Sequence, residues 1–157
     1  MMLIGIVSDT HRDKEAITKI TRVLKDCDLI IHAGDNFVDG IELHKAMKKP
    51  VFGVVGNCDF EAREEELELE IESFKFYITH GHLYKVKNTT EFLEKKAQQL
   101  GAKVVIYGHS HEANILLKDE ILYINPGSPS KPRGKNVPTL AILKIEDGLL
   151  KPKIVEI

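Results

Sequence analysis

The sequence predicts an α/β protein in which two β-sheets pack together and helices lie outside them. In the first third of the chain, short apolar and β-branched runs alternate with segments whose apolar residues have helical spacing. The rest contains mainly short strand-like runs separated by turn signals. Because 157 residues, 43% of them hydrophobic, can bury a core of their own, we expect residues 1–157 to form one domain.

The N-terminal part of the chain predicts a parallel sheet with helical crossovers. Three apolar runs predict buried strands, at Met2–Val7, Leu29–Ile31 and Val51–Val55. Two segments between them predict helices, at Glu15–Lys25 and Ile41–Met47. Asp13 is suited to cap the first helix, and Pro50 stops the second. Because strands joined through helices form right-handed parallel units, we expect these three strands to be parallel.

The segment Glu61–Glu72 holds seven glutamates but predicts a strand rather than a charged helix. Its apolar residues Leu67, Leu69 and Ile71 alternate with glutamates, which is the period of two of a half-exposed strand. We expect the glutamates to form a solvated face that discourages pairing at a sheet edge. The alternative is an acidic surface for a partner.

The remaining elements are mostly strands. A strand at Phe74–Thr79 precedes a helix at Thr89–Leu100, which Gly101 closes. Five further runs predict strands, at Val104–Tyr107, Ile115–Leu117, Ile121–Ile124, Leu140–Ile145 and Leu149–Val155. Turn signals at 118–120 and 146–148 fit hairpins between the last four.

Charge and cysteine content exclude several functions. The 22 basic and 24 acidic residues give a net charge of −2, so we expect no extended nucleic-acid surface. No apolar run approaches the ~20 residues of a membrane-spanning helix. Cys27 and Cys58 belong to no CxxC pattern, which indicates free thiols in a reducing compartment. We therefore expect a cytoplasmic protein.

Residues that can bind a metal follow five of the predicted strands. They are Asp9 and His11, Asp35, Asn57, His80, and His109 and His111. Taken singly, each fits a polar loop, a turn or a core histidine. Ligands bind at the carboxyl ends of strands in open α/β sheets, so these segments should converge on one patch. Glycines before Asp35, Asn57 and His109 would let the backbone turn sharply there.

This set of residues fits hydrolysis by two metal ions. Carboxylate, amide and imidazole ligands without a thiolate cluster suit Mn²⁺, Ni²⁺, Zn²⁺ or iron and disfavour a structural zinc site. A carboxylate such as Asp35 can bridge cations ~3.5–4 Å apart, and a hydroxide held between them is available near neutral pH. The cations also neutralise phosphate oxygens during in-line attack. We expect two divalent metal ions, Mn²⁺ or Ni²⁺ ahead of Zn²⁺, iron or Mg²⁺.

The order of the motifs resembles the calcineurin-like metallophosphoesterase superfamily. The motifs are Asp-x-His from Asp9, Gly-Asp at 34–35, Gly-Asn-x-Asp at 56–59, His80, and Gly-His-x-His at 108–111. The short chain and Asn-Pro-Gly-Ser at 125–128 are similar to its small YfcE-like phosphodiesterase branch. The resemblance implies a β-sandwich flanked by helices, a dinuclear metal centre, a small phosphodiester substrate such as a nucleotide, and a homodimer.

The resemblance also implies a role for each site residue. Asp9, His11 and His111 would hold one metal ion; Asn57, His80 and His109 would hold the other. Asp35 would bridge the two, and Asp59 would orient the neighbouring catalytic position. The wider family commonly has His after the metal-binding Asn, whereas this chain has Cys58. An unperturbed thiol has a pKa of about 8.5 and is a poor general acid near pH 7.

His82 is a candidate substitute for the missing histidine, with a plain loop position as the alternative. The expected catalytic residues are therefore Asn57, Asp59 and His82. Segment 125–128 is a turn that would border the site, and Arg133 would contact a phosphate or lie in a solvated loop. His32 and His44 are expected to be structural.

The sequence thus predicts a metal-dependent phosphodiesterase with a bridging hydroxide nucleophile. Three alternatives stay open. One is a non-catalytic binding scaffold of the same fold, similar to the small subunit of the retromer coat. The others are a phosphomonoesterase on the same site and a hydrolase with a single metal ion.

Overall fold

The computed structural model describes residues 1–133 and 136–157. Its elements follow one another as β1 (Met2–Val7), α1 (Lys14–Val23), β2 (Leu29–His32), α2 (Val38–Met47), β3 (Val51–Gly53), β4 (Glu66–Ile71), β5 (Phe74–Thr79), a 3₁₀ turn (His82–Tyr84), α3 (Glu91–Leu100), β6 (Val104–Ile106), β7 (Asn114–Lys118), β8 (Ile121–Asn125), β9 (Thr139–Glu146) and β10 (Leu149–Glu156).

The strands form two mixed sheets, which confirms the predicted fold class. The first has the order β10-β9-β1-β2-β3, and the second has the order β4-β5-β6-β8-β7. In the first sheet β1, β2 and β3 are parallel, as the alternation of strands and helices predicted. In the second sheet β5, β6 and β8 are parallel. Each sheet therefore has a set of parallel strands whose carboxyl ends lie at one edge.

The main core lies between the two sheets. Ile6 and Ile31 from the first sheet belong to one buried cluster with Phe76 and Ile106 from the second. Side chains on the opposite faces of the sheets pack against helices, since successive residues of a strand point to opposite faces. Ile20 of α1 and Leu43 of α2 cover the outer face of the first sheet, and Leu93 of α3 covers that of the second.

The helix ends follow the local sequence. Oδ1 of Asp13 accepts the N–H groups of Glu15 and Ala16, so this residue caps α1 as predicted. Gly101 ends α3 with a φ of +67°, a backbone conformation that glycine adopts without strain.

Several boundaries differ from the sequence prediction. Strand β3 ends at Gly53 rather than at Val55, because the N–H of Val55 bonds to the carbonyl of Glu64 in the following loop. Helix α2 begins at Val38, three residues before the predicted Ile41. Strand β4 lies at an edge of the second sheet with Glu68 exposed, as the alternating pattern predicted.

The helices are short and the cysteines are unpaired in the part of the chain that the structure describes. The helices in the described ranges are at most 10 residues long, and none of them is long and apolar enough to cross a lipid bilayer. Both thiols are free, with Cys27 buried and Cys58 exposed.

Candidate metal centre

The carboxyl ends of the parallel strands from both sheets meet at one site. The loops after β1, β2, β3, β5 and β6 carry the candidate ligands predicted from the sequence. Backbone hydrogen bonds join these loops: the N–H of Asp9 bonds to the carbonyl of Gly34, and that of Gly108 bonds to the carbonyl of His80. Residues 100 positions apart, such as Asp9 and His109, are thereby in contact.

A first group of ligand atoms comes from Asp9, His11, Asp35 and His111, and all of these atoms lie within 4.8 Å of one another. Nε2 of His111 is 3.3 Å from Oδ1 of Asp9 and 3.3 Å from Nε2 of His11. Two imidazole nitrogens and carboxylate oxygens that converge in this way form a suitable donor set for a divalent transition metal.

A second group comes from Asp35, His80 and His109, again within 4.8 Å. Nε2 of His80 is 3.3 Å from Oδ1 of Asp35. The ring centroids of His80 and His109 are 5.1 Å apart. Asp35 belongs to both groups, so its carboxylate lies between two sets of potential ligands.

Four buried side-chain polar atoms in the described part of the chain have no hydrogen-bond partner, and two of them belong to the candidate ligands. These two are Oδ1 of Asp9 and Nε2 of His80, which lie 3.7 Å apart. Buried polar atoms in native proteins nearly always have a partner, because an unsatisfied one costs ~1–3 kcal/mol. A divalent cation would satisfy both, and the residues therefore fit the metal that the chemistry of the donor set indicates.

The orientation of the ligands supports the same conclusion. Nδ1 of His80 donates to the carbonyl of Ala33 at 2.8 Å, and Nδ1 of His111 donates to the carbonyl of Lys131 at 2.6 Å. A carbonyl can only accept, so in each ring the proton lies on Nδ1 and the lone pair of Nε2 faces the site.

Asp9 is oriented in a similar way. Its Oδ2 accepts the hydroxyl of Ser8 at 2.7 Å and the N–H of His109 at 3.1 Å. These two bonds leave Oδ1 directed at His80 and His111.

Asp59 does not point into either group of ligands. Its carboxylate accepts three backbone N–H groups: those of Asp35 at 2.9 Å, Phe37 at 3.0 Å and Gly56 at 2.7 Å. Asp59 therefore fixes the loop that presents Asp35. A Cβ atom on Gly56 would lie 2.3 Å from Oδ1 of Asp35, so the close approach of these loops requires glycine there.

Asn57 and Cys58 lie on the exposed side of the same loop. The side-chain amide of Asn57 donates to Sγ of Cys58 at 3.6 Å, and the N–H of Cys58 donates to Oδ1 of Asp35 at 2.9 Å. The structure thus brings Cys58 to the shared carboxylate. Asn57 stands beside it without a described contact to His80 or His109.

His82 borders the second group of ligands. Its ring centroid is 5.5 Å from that of His80 and 6.2 Å from that of His109. Nε2 of His82 lies 3.8 Å from Oε1 of Glu65. The structure therefore places His82 at the wall of the site rather than in a remote loop.

The charged groups influence one another strongly. Burial would raise the pKa of the Asp35 carboxyl, but the nearby imidazole of His80 and the hydrogen bond from the N–H of Cys58 hold that pKa well below the usual range. Burial likewise opposes protonation of His80, yet Asp35 and Asp9 outweigh it and raise its pKa. Burial, followed by the charges of His80 and Lys87, lowers the pKa of His109 to about 4. At neutral pH Asp35 is thus ionised and His109 is neutral.

The backbone of the ligand loops is strained. Asp9, His11, Asp35, His109 and His111 all have φ between +54° and +70°, the left-handed region that favours glycine. Such residues cost of the order of 1 kcal/mol each and cluster at functional sites. Here the unusual φ values let short loops direct neighbouring side chains at one point.

Two residues of segment 125–128 have a role that sequence reasoning did not assign. The side-chain amide of Asn125 donates to the carbonyl of Gly108 and to Oγ of Ser110, and Ser128 donates to the carbonyl of Asp9. The segment therefore fixes two ligand loops. The segment follows β8, another parallel strand, and this position could have indicated from the sequence that it lies next to the ligand loops.

The other residues singled out from the sequence have simpler surroundings. His32 is fully buried, with Nδ1 accepting the N–H of Gly34 and Nε2 next to Oγ1 of Thr10, as expected for a structural residue. His44 is exposed and bonds to the carbonyl of Lys49. Arg133 lies close enough to His111 for its charge to oppose protonation of that ring.

Comparison with known proteins gives one consistent result. The family model for the calcineurin-like phosphoesterase superfamily domain matches residues 2–148. The protein named Probable metallophosphoesterase YsnB, from Bacillus subtilis, is 38% identical over 148 residues, which are 93% of this chain and 86% of that protein. A phosphodiesterase from Methanocaldococcus jannaschii is 34% identical, over 92% of this chain and 94% of its own length.

Solved structures share the fold. A predicted phosphoesterase from Streptococcus pneumoniae matches with a TM-score of 0.84 and 31% identity, covering 99% of this chain and 89% of that one. YfcE, a phosphoesterase from E. coli, matches with a TM-score of 0.71 at 21% identity, over 95% of this chain and 91% of its own. Vps29 from Entamoeba histolytica in complex with zinc matches with a TM-score of 0.79 and 21% identity, over 98% of both chains.

At 21% identity the likeness to YfcE and Vps29 shows the fold alone. The family match and the closer relatives carry more weight, because they cover nearly all of the chain, including every predicted ligand loop. With its ordered motifs gathered at one edge of two packed sheets, the chain belongs to the calcineurin-like phosphoesterase superfamily.

Proposed function

We propose that the protein is a metal-dependent phosphodiesterase that hydrolyses small phosphodiesters at a dinuclear metal centre. The observation that carries this proposal is the position of Asp35, which is shared by two groups of ligand atoms. The relatives named as metallophosphoesterase and phosphodiesterase support it. We also propose that the whole chain, residues 1–157, works as one domain, and that the free thiols reflect a cytoplasmic location.

The metal ligands that we propose are those predicted from the sequence. One metal ion would be held by Asp9, His11 and His111, the other by Asn57, His80 and His109, with Asp35 shared between them. When bound, two divalent cations would lower the pKa of the attacking water and neutralise the phosphate oxygens. Either Mn²⁺ or Ni²⁺ is our first choice of metal.

The chain's own residues prepare this site in three ways. Ionised Asp35 and neutral His109 present lone pairs at neutral pH. Hydrogen bonds from Nδ1 of His80 and His111 to backbone carbonyls direct Nε2 inward. Asp59 holds the loop of Asp35 in place through three N–H groups. None of these contacts needs to reorganise during the reaction, which is the condition for effective electrostatic stabilisation.

His82 is our candidate for contact with the leaving group. It lies at the wall formed with His80 and His109. Cys58 stands at the sequence position where the family commonly has a histidine. In the reaction, water attacks phosphorus, the bond to the leaving oxygen breaks, and a proton is transferred to that oxygen. The imidazole of His82 is our candidate to donate it.

The likeness to Vps29 is the observation behind the alternative of a binding scaffold without catalytic activity. Against it, every ligand position of the family pattern is filled in this chain, and the described ligand atoms converge within 4.8 Å in each group.

The test is to strip the purified protein with a chelator and reload it separately with Mn²⁺, Ni²⁺, Zn²⁺ and Mg²⁺. We expect two metal ions per chain by mass spectrometry. We also expect bis(p-nitrophenyl) phosphate to be hydrolysed faster than p-nitrophenyl phosphate. A preference for the monoester would instead indicate a phosphomonoesterase. One metal ion per chain would indicate a different hydrolase, and bound metal without hydrolysis of either ester would favour the scaffold.

A pair of matched histidine variants tests the assignment of the site. We expect His109→Ala to reduce turnover by at least 100-fold with loss of bound metal. His44→Ala is the control, because His44 is exposed and lies on α2 away from the ligand loops. Equal activity in the two variants would refute the assignment.

A further inference from the structure

A groove begins one residue beyond His82 and is not explained by the metal centre. It has a volume of about 290 Å³ and is lined by Leu83, Tyr84, Lys85, Phe92, Lys95, Lys96 and Gln99. Leu83 belongs to the same 3₁₀ turn as His82, so the groove adjoins the wall of the site. Its volume is just below the roughly 300–1,000 Å³ of pockets that hold a whole small molecule, which suits one arm of a diester.

The groove is cationic in a protein with net negative charge. Three of its seven lining residues are lysines and none is acidic. Ion pairs in the described residues use other lysines: Lys19, Lys45, Lys75, Lys118, Lys144 and Lys151. Lys96 also lies near the carboxylate of Glu66, so Lys85 and Lys95 are the ammonium groups of the groove that are available to an anion.

The groove also exposes apolar surface. Leu83 is 50% exposed and Phe92 is 46% exposed, although both are large hydrophobic side chains. Nζ of Lys85 lies 5.8 Å from the centroid of the Phe92 ring, within the range of a cation–π contact. A planar apolar group can therefore pack on Leu83 and Phe92 while an anionic group meets the lysines.

We propose that this groove binds one arm of the phosphodiester substrate, and that the arm is a nucleoside carrying a further phosphate. A nucleobase supplies the planar group, since base–aromatic contacts tolerate any base. The further phosphate supplies the anion that the lysines recognise. The proposal rests on the proposed function, because it assigns the substrate class of that same site.

The test compares three diesters with the same p-nitrophenyl leaving group. The second ester group is methyl in the first, the 5′-oxygen of thymidine in the second, and the 5′-oxygen of thymidine 3′-phosphate in the third. We expect kcat/KM to rise from the first to the third, with about a tenfold gain at each step. Equal kcat/KM for all three would overturn the inference while leaving the phosphodiesterase proposal intact. Hydrolysis of none would overturn both.

Two variants assign the gain to the groove. We expect Phe92→Ala to reduce the advantage of thymidine over methyl, and Lys95→Glu to remove most of the advantage of the added phosphate. The control is Lys153→Glu, which makes the same change in net charge on β10 of the other sheet. Loss of the advantage in the control as well would show a general charge effect and overturn the proposal.

A binding measurement gives a readout that is independent of turnover. We expect thymidine 3′,5′-bisphosphate to bind to the protein in calorimetry, with a Kd about tenfold higher for the Lys95→Glu variant. A different occupant is also tested, because the exposed Phe92 could instead contact a second copy of the chain. If Phe92→Ala turned a dimer into a monomer while the three-substrate ratios stayed the same, the groove would be an interface and the proposal would be wrong.

Discussion

Oδ1 of Asp9 and Nε2 of His80 lie 3.7 Å apart in the interior, and neither has a hydrogen-bond partner among residues 1–133 and 136–157. One atom comes from the loop after β1 and the other from the loop after β5, in different sheets. Two unsatisfied atoms from distant segments are costly unless something binds both of them. A metal ion that binds both atoms of this pair should therefore stabilise the folded protein, and this effect can be measured.

Metal binding should therefore stabilise the fold. At a metal concentration of 100 times Kd, a ligand that binds only the folded state adds about 2.7 kcal/mol. For a domain of this size we expect Tm to rise by about 5–10 °C when Mn²⁺ is added to chelator-treated protein. Differential scanning fluorimetry checks this. The shift should be lost in Asp35→Asn and kept in His44→Ala; the same shift in both variants would contradict the shared role of Asp35.

Asp59 should matter for the position of Asp35 as well as for stability. Its carboxylate accepts three backbone N–H groups, whereas an amide in its place would turn an N–H group toward one of those donors. We expect Asp59→Asn to reduce the free energy of unfolding of the metal-free protein by about 2 kcal/mol and to weaken metal binding.

Asp13→Asn is the matched comparison for Asp59→Asn. Asp13 accepts two N–H groups at the start of α1, where asparagine caps equally well. Urea denaturation should show a change below about 0.5 kcal/mol for this variant. Similar losses in both variants would show that Asp59 has no special role.

His32 should make the protein less stable as the pH falls below neutrality. Burial, only partly offset by Asp9, lowers the pKa of His32 from 6.5 to about 4. Between these values the unfolded chain binds a proton that the folded chain does not, so stability decreases as the pH falls from 6.5 toward 4. From pH 7.5 to pH 5 the contribution of this one group is about 2 kcal/mol.

The measurement is urea denaturation of metal-free protein and of His32→Gln at both pH values. Other titrating groups contribute to both proteins, so the difference between them isolates His32. We expect the variant to lose about 2 kcal/mol less on acidification. An NMR titration that placed the pKa of the His32 ring near 6.5 would rule out this explanation.

Restoring the common family histidine should help hydrolysis of poor substrates. Cys58 is exposed beside Asp35, and partial desolvation of its thiol together with the charge of Asp35 raises its pKa, so it is a weak proton donor at pH 7. We expect Cys58→His to raise kcat about tenfold for alkyl diesters and little for p-nitrophenyl diesters, whose leaving group needs no proton. Cys58→Ser is the control of similar size, and an equal gain for both leaving groups would argue against a proton-transfer role.

The candidate ligand residues could be identified from the sequence because each lies shortly after a strand with a strong local pattern. Runs such as Met2–Val7 and Phe74–Thr79 are apolar enough to be identified alone, and the polar residues that follow them are then conspicuous. The Glu-rich strand β4 was recognisable for the same reason, since the side chains of a half-exposed strand alternate at every residue.

Sheet order could not be found in this way. β9 pairs with β1 although more than 130 residues separate Ile6 from Ala141, and β8 lies between β6 and β7. Such pairings depend on which strand edges and apolar faces remain uncovered when the whole chain folds. Local periodicity does not predict these pairings. The end of β3 at Gly53 was missed similarly, because the loop around Glu64 supplies the competing hydrogen bond.

The sequence by itself determined the fold class and the candidate ligands, because side-chain chemistry and strand periodicity are local properties. The tertiary structure alone decided how the ligands are oriented. The bond from His80 to Ala33, the bonds from Asp35 and Phe37 to Asp59, and the bonds from Asn125 and Ser128 join segments that are far apart in the chain. Orientation depends on these long-range contacts, so it exists only once both sheets have come together.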